Sequence, residues 1–191
     1  MRLILASSSP RRKEVMDKMG LDYEIIPSNF EENHSLHTNA IDLVEDFAIQ
    51  KAADIFEKYT DAAVIGSDTI VLDPEGKLLG KPKTKDDAFG MVKSLQGKKS
   101  FVYTGVALLA PGKQYVGHKE ASIFFKQMDD KQIQDYLDDP QADWMDKAGA
   151  YALQGRAATW IEGYEGEYSA ILGLSEELVR QFLSELDKSV A

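Results

Sequence analysis

The sequence of 191 residues is 43% hydrophobic, which is enough to bury one sizeable core or the cores of two small lobes. It contains no cysteine, so disulfides, thiolate chemistry and zinc sites of the cysteine type are excluded. The formal net charge of −10 disfavours a nucleic-acid partner, because binding to a phosphate backbone depends on clustered Lys and Arg. No apolar run approaches the roughly 20 residues of a membrane-spanning helix or resembles a signal peptide, so we expect a cytoplasmic protein without a membrane partner.

Apolar periodicity and turn residues predict alternating strands and helices along the whole chain. In chain order, the predicted elements are a strand over 2–6, a helix over 10–19, a strand over 23–27, a helix over 40–59, a strand over 62–66 that resumes over 70–72, a helix over 85–96, hairpin strands over 100–109 and 114–126, a helix over 129–137, short strands near 159–161 and 169–172, and a final helix over 175–186. Ser9 and Thr84 are the predicted N-caps of the helices that follow them, and Pro10 occupies a first helical position.

These elements predict the fold class and the number of domains. Early βα units followed by a hairpin favour an α/β fold, with a mixed, twisted sheet and flanking helices. The sequence contains no internal repeat and no Pro/Gly/Ser-rich linker. We therefore predict a single domain over residues 1–191.

The first loop is a candidate anion site. A serine-rich turn leads from the first strand into a helix, whose free N–H groups and dipole favour negative charge, and Ser7, Ser9, Arg11 and Arg12 extend it. The alternative is an ordinary capped helix with a solvated basic first turn, and on this segment alone the two interpretations are balanced. Arginines in a first turn oppose the helix dipole, which favours the interpretation with a bound anion.

Lys51 and Asp68 occupy positions that ordinary packing explains poorly. Lys51 falls within the apolar stripe of its helix, where it either extends its ammonium outward to solvent or contacts a phosphate. Asp68 follows a buried strand, a place where ligands bind in α/β sheets. Since strand pattern resumes after Asp68, helix capping explains it poorly. We interpret Asp68 as a metal ligand or a general base.

Three charged residues on loops, Glu31, Glu32 and Lys81, carry little information alone, because charges on loops are usually solvated. They indicate a site only in combination with Lys51 and Asp68. Carboxylates suit Mg²⁺ or Mn²⁺, and Arg and Lys suit phosphate oxygens, as chemistry at a phosphorus centre requires. The sequence has no Gly-x-x-x-x-Gly-Lys-Ser/Thr motif, so a P-loop is excluded.

Seven motifs in order resemble the Maf family of nucleoside triphosphate pyrophosphatases, and the resemblance spans nearly the whole chain. The motifs are Leu5-Ala6-Ser7-Ser8-Ser9-Pro10-Arg11-Arg12, Glu31-Glu32, Lys51-Ala52, Gly66-Ser67-Asp68-Thr69, Gly80-Lys81-Pro82, Tyr103-Thr104-Gly105 and Lys147-Ala148-Gly149-Ala150-Tyr151-Ala152-Leu153-Gln154-Gly155. The resemblance implies two lobes around a central groove, a relation to the inosine triphosphatase architecture and, in many members, a homodimer. It departs at Gly173-Leu174-Ser175, where the family frequently has Gly-Leu-Pro, and we expect this change to affect packing.

The resemblance also implies the roles of individual residues. Asp68 is the proton acceptor or metal-organising group, and Glu32 and Lys81 support the metal and the phosphates. The implied triphosphate ligands are Ser7, Ser9, Arg11, Arg12 and Lys51. The implied reaction is attack of water on the α-phosphorus with departure of pyrophosphate, in the presence of Mg²⁺ or Mn²⁺ held by Asp68 and Glu32.

The implied substrates are dTTP and UTP, with other or modified pyrimidine nucleotides as an open alternative, because Arg11, Thr69 and Gln154 resemble the branch of the family that acts on dTTP and UTP. An amide at Gln154 can pair with the N3–H and a flanking carbonyl of uracil or thymine. The alternative function is a non-catalytic nucleotide-binding regulator linked to cell division. Two carboxylates beside phosphates argue against it, because a mere binder has less need of them.

Overall fold

The computed structural model describes residues 1–32, 39–142, 144–145, 147–151, 153 and 155–190. Within them lie six α-helices, seven β-strands and two short 3₁₀ helices. The α-helices are α1 (Pro10–Lys18), α2 (Ala40–Phe56), α3 (Lys85–Leu95), α4 (Asp130–Asp138), α5 (Tyr168–Ile171) and α6 (Glu176–Val190). The strands are β1 (Leu3–Leu5), β2 (Glu24–Ile25), β3 (Ala63–Leu72), β4 (Leu78–Leu79), β5 (Lys99–Ala110), β6 (Lys113–Phe125) and β7 (Ile161–Glu165), and the 3₁₀ helices are Ala148–Ala150 and Arg156–Trp160.

The strands form one mixed sheet in the order β2-β1-β3-β5-β6-β7, with β4 paired to β3. β1 is parallel to both β2 and β3, whereas β4 pairs antiparallel with β3 and β7 pairs antiparallel with β6. Parallel strands joined by helices at one end and antiparallel strands at the other confirm the predicted α/β fold with a mixed sheet.

The chain divides into two compact units. Unit 1 comprises Met1–Thr69, Tyr103–Lys119 and Glu167–Ala191, and unit 2 comprises Ile70–Val102 and Glu120–Gly166. The single domain over residues 1–191 and the groove between two lobes stay predictions. In the described part of the chain, no helix is long and apolar enough to span a membrane.

Unit 1 buries apolar residues on both faces of its strands. On one face, Leu5, Ile65 and Leu108 pack with residues of α1 and α6. On the other face, Ile4 and Val64 pack with residues of α2. Alternate residues of each strand therefore contact different helices, as the two-residue period of a strand requires.

Helix α2 lies unusually close to the strands because two glycines make room for its backbone. A Cβ atom at Gly66 would lie 2.1 Å from the carbonyl oxygen of Ala48, and one at Gly105 would lie 2.1 Å from that of Val44. Any side chain at these two positions would push the helix away. The glycines thus set the distance between α2 and the residues that follow Gly66 on β3.

Unit 2 buries aromatic residues around its own helices and strands. Tyr136 packs edge-on against Trp160 with ring centroids 4.5 Å apart, and Phe125 packs in the same way against Tyr151 at 4.9 Å. Burial raises the pKa of the Tyr151 hydroxyl to about 12. Trp160 and the other tryptophan of the sequence are buried, as expected for packing residues.

Most predicted elements are present, with three corrections. The strand expected near 159–161 begins only at Ile161, because Arg156–Trp160 form a 3₁₀ helix. β3 is continuous from Ala63 to Leu72, so Asp68 lies inside a strand and not at its end. Residues 169–172 were expected to form a strand, but Tyr168–Ile171 form helix α5. The Ser169 hydroxyl, and the Glu167 carboxylate just before this helix, accept hydrogen bonds from backbone amides in the first turn of α6. Thr84 caps α3, as predicted, and Asp87 completes a capping box with it, whereas Ser9 occupies the N-cap of α1 without a side-chain capping bond.

The departure at Ser175 has a structural explanation. The fully buried Ser175 hydroxyl accepts a hydrogen bond from the Leu178 amide at 3.0 Å and donates one to Glu167 at 2.6 Å. The Glu167 carboxylate also accepts hydrogen bonds from the Ser169 hydroxyl and from the Glu177 amide. A serine cap therefore starts α6 here, and the expected effect on packing is a polar network at its first turn.

Candidate active site

Lys51, Asp68 and Glu32 form an ion triad in unit 1. The Lys51 Nζ atom lies 2.6 Å from Asp68 Oδ1 and 2.6 Å from Glu32 Oε1. Helix α2 supplies the lysine, β3 supplies the aspartate, and the segment after β2 supplies the glutamate. Three elements that are far apart in sequence therefore converge on one ammonium group.

The burial of the triad decides between the two interpretations of Lys51. Its side chain is 12% exposed and that of Asp68 is 4% exposed, whereas that of Glu32 is 38% exposed. The Lys51 ammonium points to the buried carboxylate and does not extend outward to solvent. Because a buried charge is costly without a partner, Asp68 and Lys51 each need the other in the folded protein.

Asp68 has one carboxylate oxygen to spare. Its Oδ1 atom accepts the hydrogen bond from Lys51, but its buried Oδ2 atom has no hydrogen-bond partner among the described residues. Such an atom is uncommon, because most buried polar atoms are satisfied. The missing partner is what a hard cation or a water hydrogen would supply.

The first loop supplies hydrogen-bond donors next to the triad. The Ser7 hydroxyl oxygen accepts bonds from the Ser9 amide and from Arg12 Nη1, both at 3.2 Å. These two bonds leave the Ser7 hydrogen available to a further acceptor. Arg11 lies on the first turn of α1, partly exposed, and makes no ion pair with a described residue.

Arg12 fastens the first loop to the turn before α6. Its Nε atom donates to the carbonyl oxygen of Gly173 at 2.8 Å. Desolvation lowers the pKa of the partly buried Arg12 below its ordinary value, and the carboxylates of Asp68 and Glu32 oppose this shift. The guanidinium remains charged at neutral pH, since its ordinary pKa lies far above 7.

The charges at this place leave a net attraction for anions. Arg11, Arg12 and Lys51 carry three positive charges, and Asp68 and Glu32 carry two negative ones. The protein as a whole is strongly acidic, so a local excess of positive charge is unusual in this chain. It would draw an anionic ligand toward the N-terminus of α1.

Thr69 lies on the opposite face of β3 from Asp68. Its hydroxyl is 2.9 Å from that of Thr104, and a Cβ atom at Gly173 would lie 3.4 Å from it. Ser67 faces the same way, and its buried hydroxyl lies 2.8 Å from the carbonyl oxygens of Gly105 and Gly173. The structure thus separates two adjacent predicted site residues that the linear motif groups together.

Two predicted site residues are not among those that unit 1 brings together. Lys81 belongs to unit 2, between β4 and α3, and its side chain is exposed. The carbonyl of the preceding Gly80 accepts a bond from the Gly149 amide at 3.1 Å, which joins two of the motifs within that unit. Gln154 lies outside the described residues.

Sequence reasoning missed the residues that support the site. Gly66 and Gly105 admit α2, Thr104 contacts Thr69, and Gly173 accepts bonds from Arg12 and Ser67. A glycine within an apolar strand is a signal of close backbone approach and could have identified the first two. No sequence signal identifies the carbonyl oxygen of Gly173, because its role depends on a side chain 161 residues away.

A family model described as Maf-like protein matches residues 2–186 of the chain. The chain belongs to the Maf family. The family predicted from the seven motifs is therefore confirmed, and the match extends over nearly the whole Maf chain.

Relatives of this Maf protein carry the name dTTP/UTP pyrophosphatase. One from Pelotomaculum thermopropionicum is 41% identical over 174 residues, which cover 90% of each chain. One from Thermoanaerobacter sp. is 42% identical over 177 residues, which cover 91% of each chain. One from Ruminiclostridium cellulolyticum is 38% identical over 191 residues, which cover 98% of this chain and 97% of the relative.

One solved structure that this Maf protein is similar to is a nucleoside-triphosphatase, also described as dITP/XTP pyrophosphatase, from Mycobacterium abscessus. The similarity covers 67% of this chain and 76% of that chain, with 15% sequence identity and a TM-score of 0.43.

Proposed function

We propose that this Maf protein hydrolyses dTTP and UTP to the corresponding monophosphate and pyrophosphate. The observation that carries the proposal is the triad of Lys51, Asp68 and Glu32, with its unsatisfied Asp68 oxygen beside the basic first loop. Relatives about as long as this chain and 38–42% identical to it are named dTTP/UTP pyrophosphatase, which supports the same substrates here.

Asp68 and Glu32 fit a divalent cation. Mg²⁺ is usually held by one or two carboxylates together with substrate phosphates and waters. The described residues contain no group of three or more His, Asp or Glu that could hold a metal ion, so phosphates and waters would complete the shell. Maf pyrophosphatases generally use a divalent metal, and the Asp68 and Glu32 carboxylates would hold it together with the phosphates, with Asp68 Oδ2 left free to accept a proton. When bound, the cation supplies charge neutralisation and polarises a phosphoryl oxygen.

The first loop binds the triphosphate in this proposal. Ser7 offers a hydroxyl hydrogen, Arg11 offers an unpaired guanidinium, and the N-terminus of α1 offers backbone N–H groups. Ser9, whose hydroxyl makes no capping bond, is free to donate to a phosphate oxygen. Arg12 holds the loop through Ser7 and adds its charge to the same place.

Asp68 receives the proton of the attacking water. The water oxygen forms a bond to the α-phosphorus, the bond from that phosphorus to the bridging oxygen of pyrophosphate breaks, and the water proton passes to Asp68 Oδ2. Lys51 orients the Asp68 carboxylate through its hydrogen bond to Oδ1. Catalysis in this arrangement rests on positioning and charge stabilisation.

Three further assignments remain proposals. Lys81 contacts a phosphate, Thr69 and Gln154 contact the base, and the protein forms a homodimer. Alanine substitutions of Lys81 and Gln154 and light scattering of the purified protein test them separately. Gln154→Ala should flatten the preference for dTTP and UTP over purine triphosphates more than it slows pyrophosphate release.

The deciding experiment is a substrate panel with the purified protein. Pyrophosphate release is measured for dTTP, UTP, CTP and GTP with Mg²⁺, with Mn²⁺ and with a chelator. We expect release from dTTP and UTP, and no release in the presence of the chelator. Calorimetric binding of dTTP without pyrophosphate release would instead favour the non-catalytic nucleotide-binding regulator.

A further inference from the structure

The hydroxyl groups of Thr104 and Thr69 form a directed chain in unit 1. The fully buried Thr104 hydroxyl lies 2.7 Å from the carbonyl oxygen of Ala170 and 2.9 Å from the Thr69 hydroxyl. A carbonyl oxygen can only accept, so Thr104 gives its single hydrogen to Ala170. Thr69 must therefore donate its own hydrogen to Thr104.

This direction fixes the hydrogen-bonding character of Thr69. With its only hydrogen committed to Thr104, the Thr69 oxygen has lone pairs left and can accept but not donate. The side chain of Thr69 is partly exposed, unlike that of Thr104. Thr69 can therefore bind a ligand only by accepting a hydrogen bond from it.

Gly173 lies beside the Thr69 hydroxyl. Its backbone has a φ of 107°, which a residue with a side chain rarely adopts, and a Cβ atom there would lie 3.4 Å from Thr69 Oγ1. The same Cβ atom would lie 3.3 Å from Arg12 Nε. The lack of a side chain at Gly173 thus leaves space beside both polar groups.

We propose that Thr104 is a positioning residue that selects the base by holding Thr69 as a hydrogen-bond acceptor. Uracil and thymine carry a hydrogen on N3, which such an acceptor can bind, so that the Gln154 amide is left to donate to a flanking carbonyl of the base. Cytosine carries a lone pair on N3, which meets another lone pair and leaves both groups unsatisfied. The proposal rests on the proposed function, because it takes the base of the substrate to lie at Thr69.

The test compares two substitutions of Thr104. Thr104→Val keeps the shape of the side chain but removes the hydroxyl, so the Thr69 hydrogen is free to rotate toward cytosine N3. Thr104→Ser keeps the hydroxyl and the directed chain. The measurement is the ratio of kcat/KM for UTP to kcat/KM for CTP in wild type and both variants. We expect wild type and Thr104→Ser to prefer UTP, and Thr104→Val to lower the ratio about tenfold.

Each outcome separates this inference from the proposed function. An unchanged ratio in Thr104→Val would overturn the inference and make Thr104 a structural residue. Equal hydrolysis of UTP and CTP by wild type would also overturn it, while leaving the proposed hydrolysis of UTP intact. Absence of pyrophosphate release from any pyrimidine triphosphate would overturn the proposed function itself, and the inference with it.

A second pair of variants tests the inference if Thr104→Val fails to fold. Thr69→Val removes the acceptor and leaves the bond from Thr104 to Ala170 in place, whereas Thr69→Ser retains the acceptor. We expect Thr69→Val to lose activity on UTP with little change on CTP, and Thr69→Ser to recover the ratio. A parallel loss on both nucleotides in Thr69→Val would contradict the inference, because it would show no role for Thr69 in telling them apart.

Discussion

The two faces of β3 differ in how completely their polar groups are satisfied. Toward α2, Asp68 binds Lys51 through one oxygen and has its other oxygen unsatisfied among the described residues. Away from α2, the hydroxyls of Ser67 and Thr69 each have a hydrogen-bond partner. The face toward α2 thus carries an unsatisfied carboxylate oxygen, whereas the hydroxyls of the other face are held by the strand and the turn beside them.

The comparison also explains why a strand can carry both tasks. Side chains alternate along a strand, so four consecutive residues reach two different surroundings. Gly66 lets α2 approach, and this approach brings Lys51 to Asp68. Residues 67 and 69 meanwhile connect β3 to β5 and to the turn before α6.

Substitution of Asp68 should have the largest effect on activity. Asp68→Asn keeps the shape of the side chain but removes the charge that a metal ion or the attacking water needs, so kcat for dTTP should fall about 10²- to 10⁴-fold. The measurement is pyrophosphate release at saturating substrate. The matched control is Asp130→Asn, which removes an exposed carboxylate paired with Lys93 and should leave kcat unchanged. Near-normal turnover in Asp68→Asn would show that Asp68 does not take part in hydrolysis.

Substitution of Gly66 should have the largest effect on stability. In Gly66→Ala, the new methyl group would meet the α2 backbone, so the free energy of unfolding should fall by about 1–3 kcal/mol or more. Urea unfolding followed by circular dichroism measures the change. Gly90→Ala in α3 is the control, because no atom beyond its chain neighbours and the backbone of its own helix lies within 4 Å of its Cβ position, and alanine favours a helix. A stable Gly66→Ala variant with normal kcat would mean that close packing of α2 is not needed to hold Lys51.

Arg11 tests whether the charged face attracts phosphate. Arg11→Ala removes a cation without a partner, so KM for dTTP should rise about tenfold while kcat changes little. Steady-state kinetics at constant ionic strength give both values. Lys13→Ala is the control, because Lys13 is exposed, lies on the same helix and pairs with Asp17. If both variants have normal kinetics, the first turn of α1 is the ordinary solvated turn that the sequence also allowed.

The sequence predicted local structure well, because caps, turns and periodicity depend on near neighbours. Such patterns predicted the N-cap at Thr84 and the two strands of the hairpin. The sequence wrongly indicated that Asp68 follows the end of a strand, because Gly66 and Ser67 interrupt the apolar run. β1 ends at Leu5, opposite Ile65, so β3 continues past its parallel neighbour to reach Asp68. Strand pairing decides this, and pairing is not visible in one short segment.

The site itself was predictable as a set of residues but not as a geometry. Charge chemistry and the family resemblance named Lys51, Asp68 and Glu32. They did not indicate that one ammonium joins both carboxylates, because that contact depends on how closely α2 approaches β3. Nor could they indicate that Thr69 faces away from Asp68, because that depends on β3 continuing as one strand through both residues.

Substitution of Ser67 should have the smallest effect, and it tests whether the two faces of β3 act independently. Its hydroxyl has one hydrogen and two acceptors at 2.8 Å, the carbonyl oxygens of Gly105 and Gly173, so it satisfies one at a time. In Ser67→Ala, Gly173 retains its bond from Arg12, and we expect a loss of only about 1 kcal/mol in the free energy of unfolding. Because Asp68 points to the other face, kcat should stay close to wild type.

Urea unfolding and pyrophosphate release on the same preparation measure the free energy of unfolding and kcat of Ser67→Ala. A large fall in kcat with unchanged stability would show that the two faces of β3 are coupled, and that the neutral network helps to position Asp68.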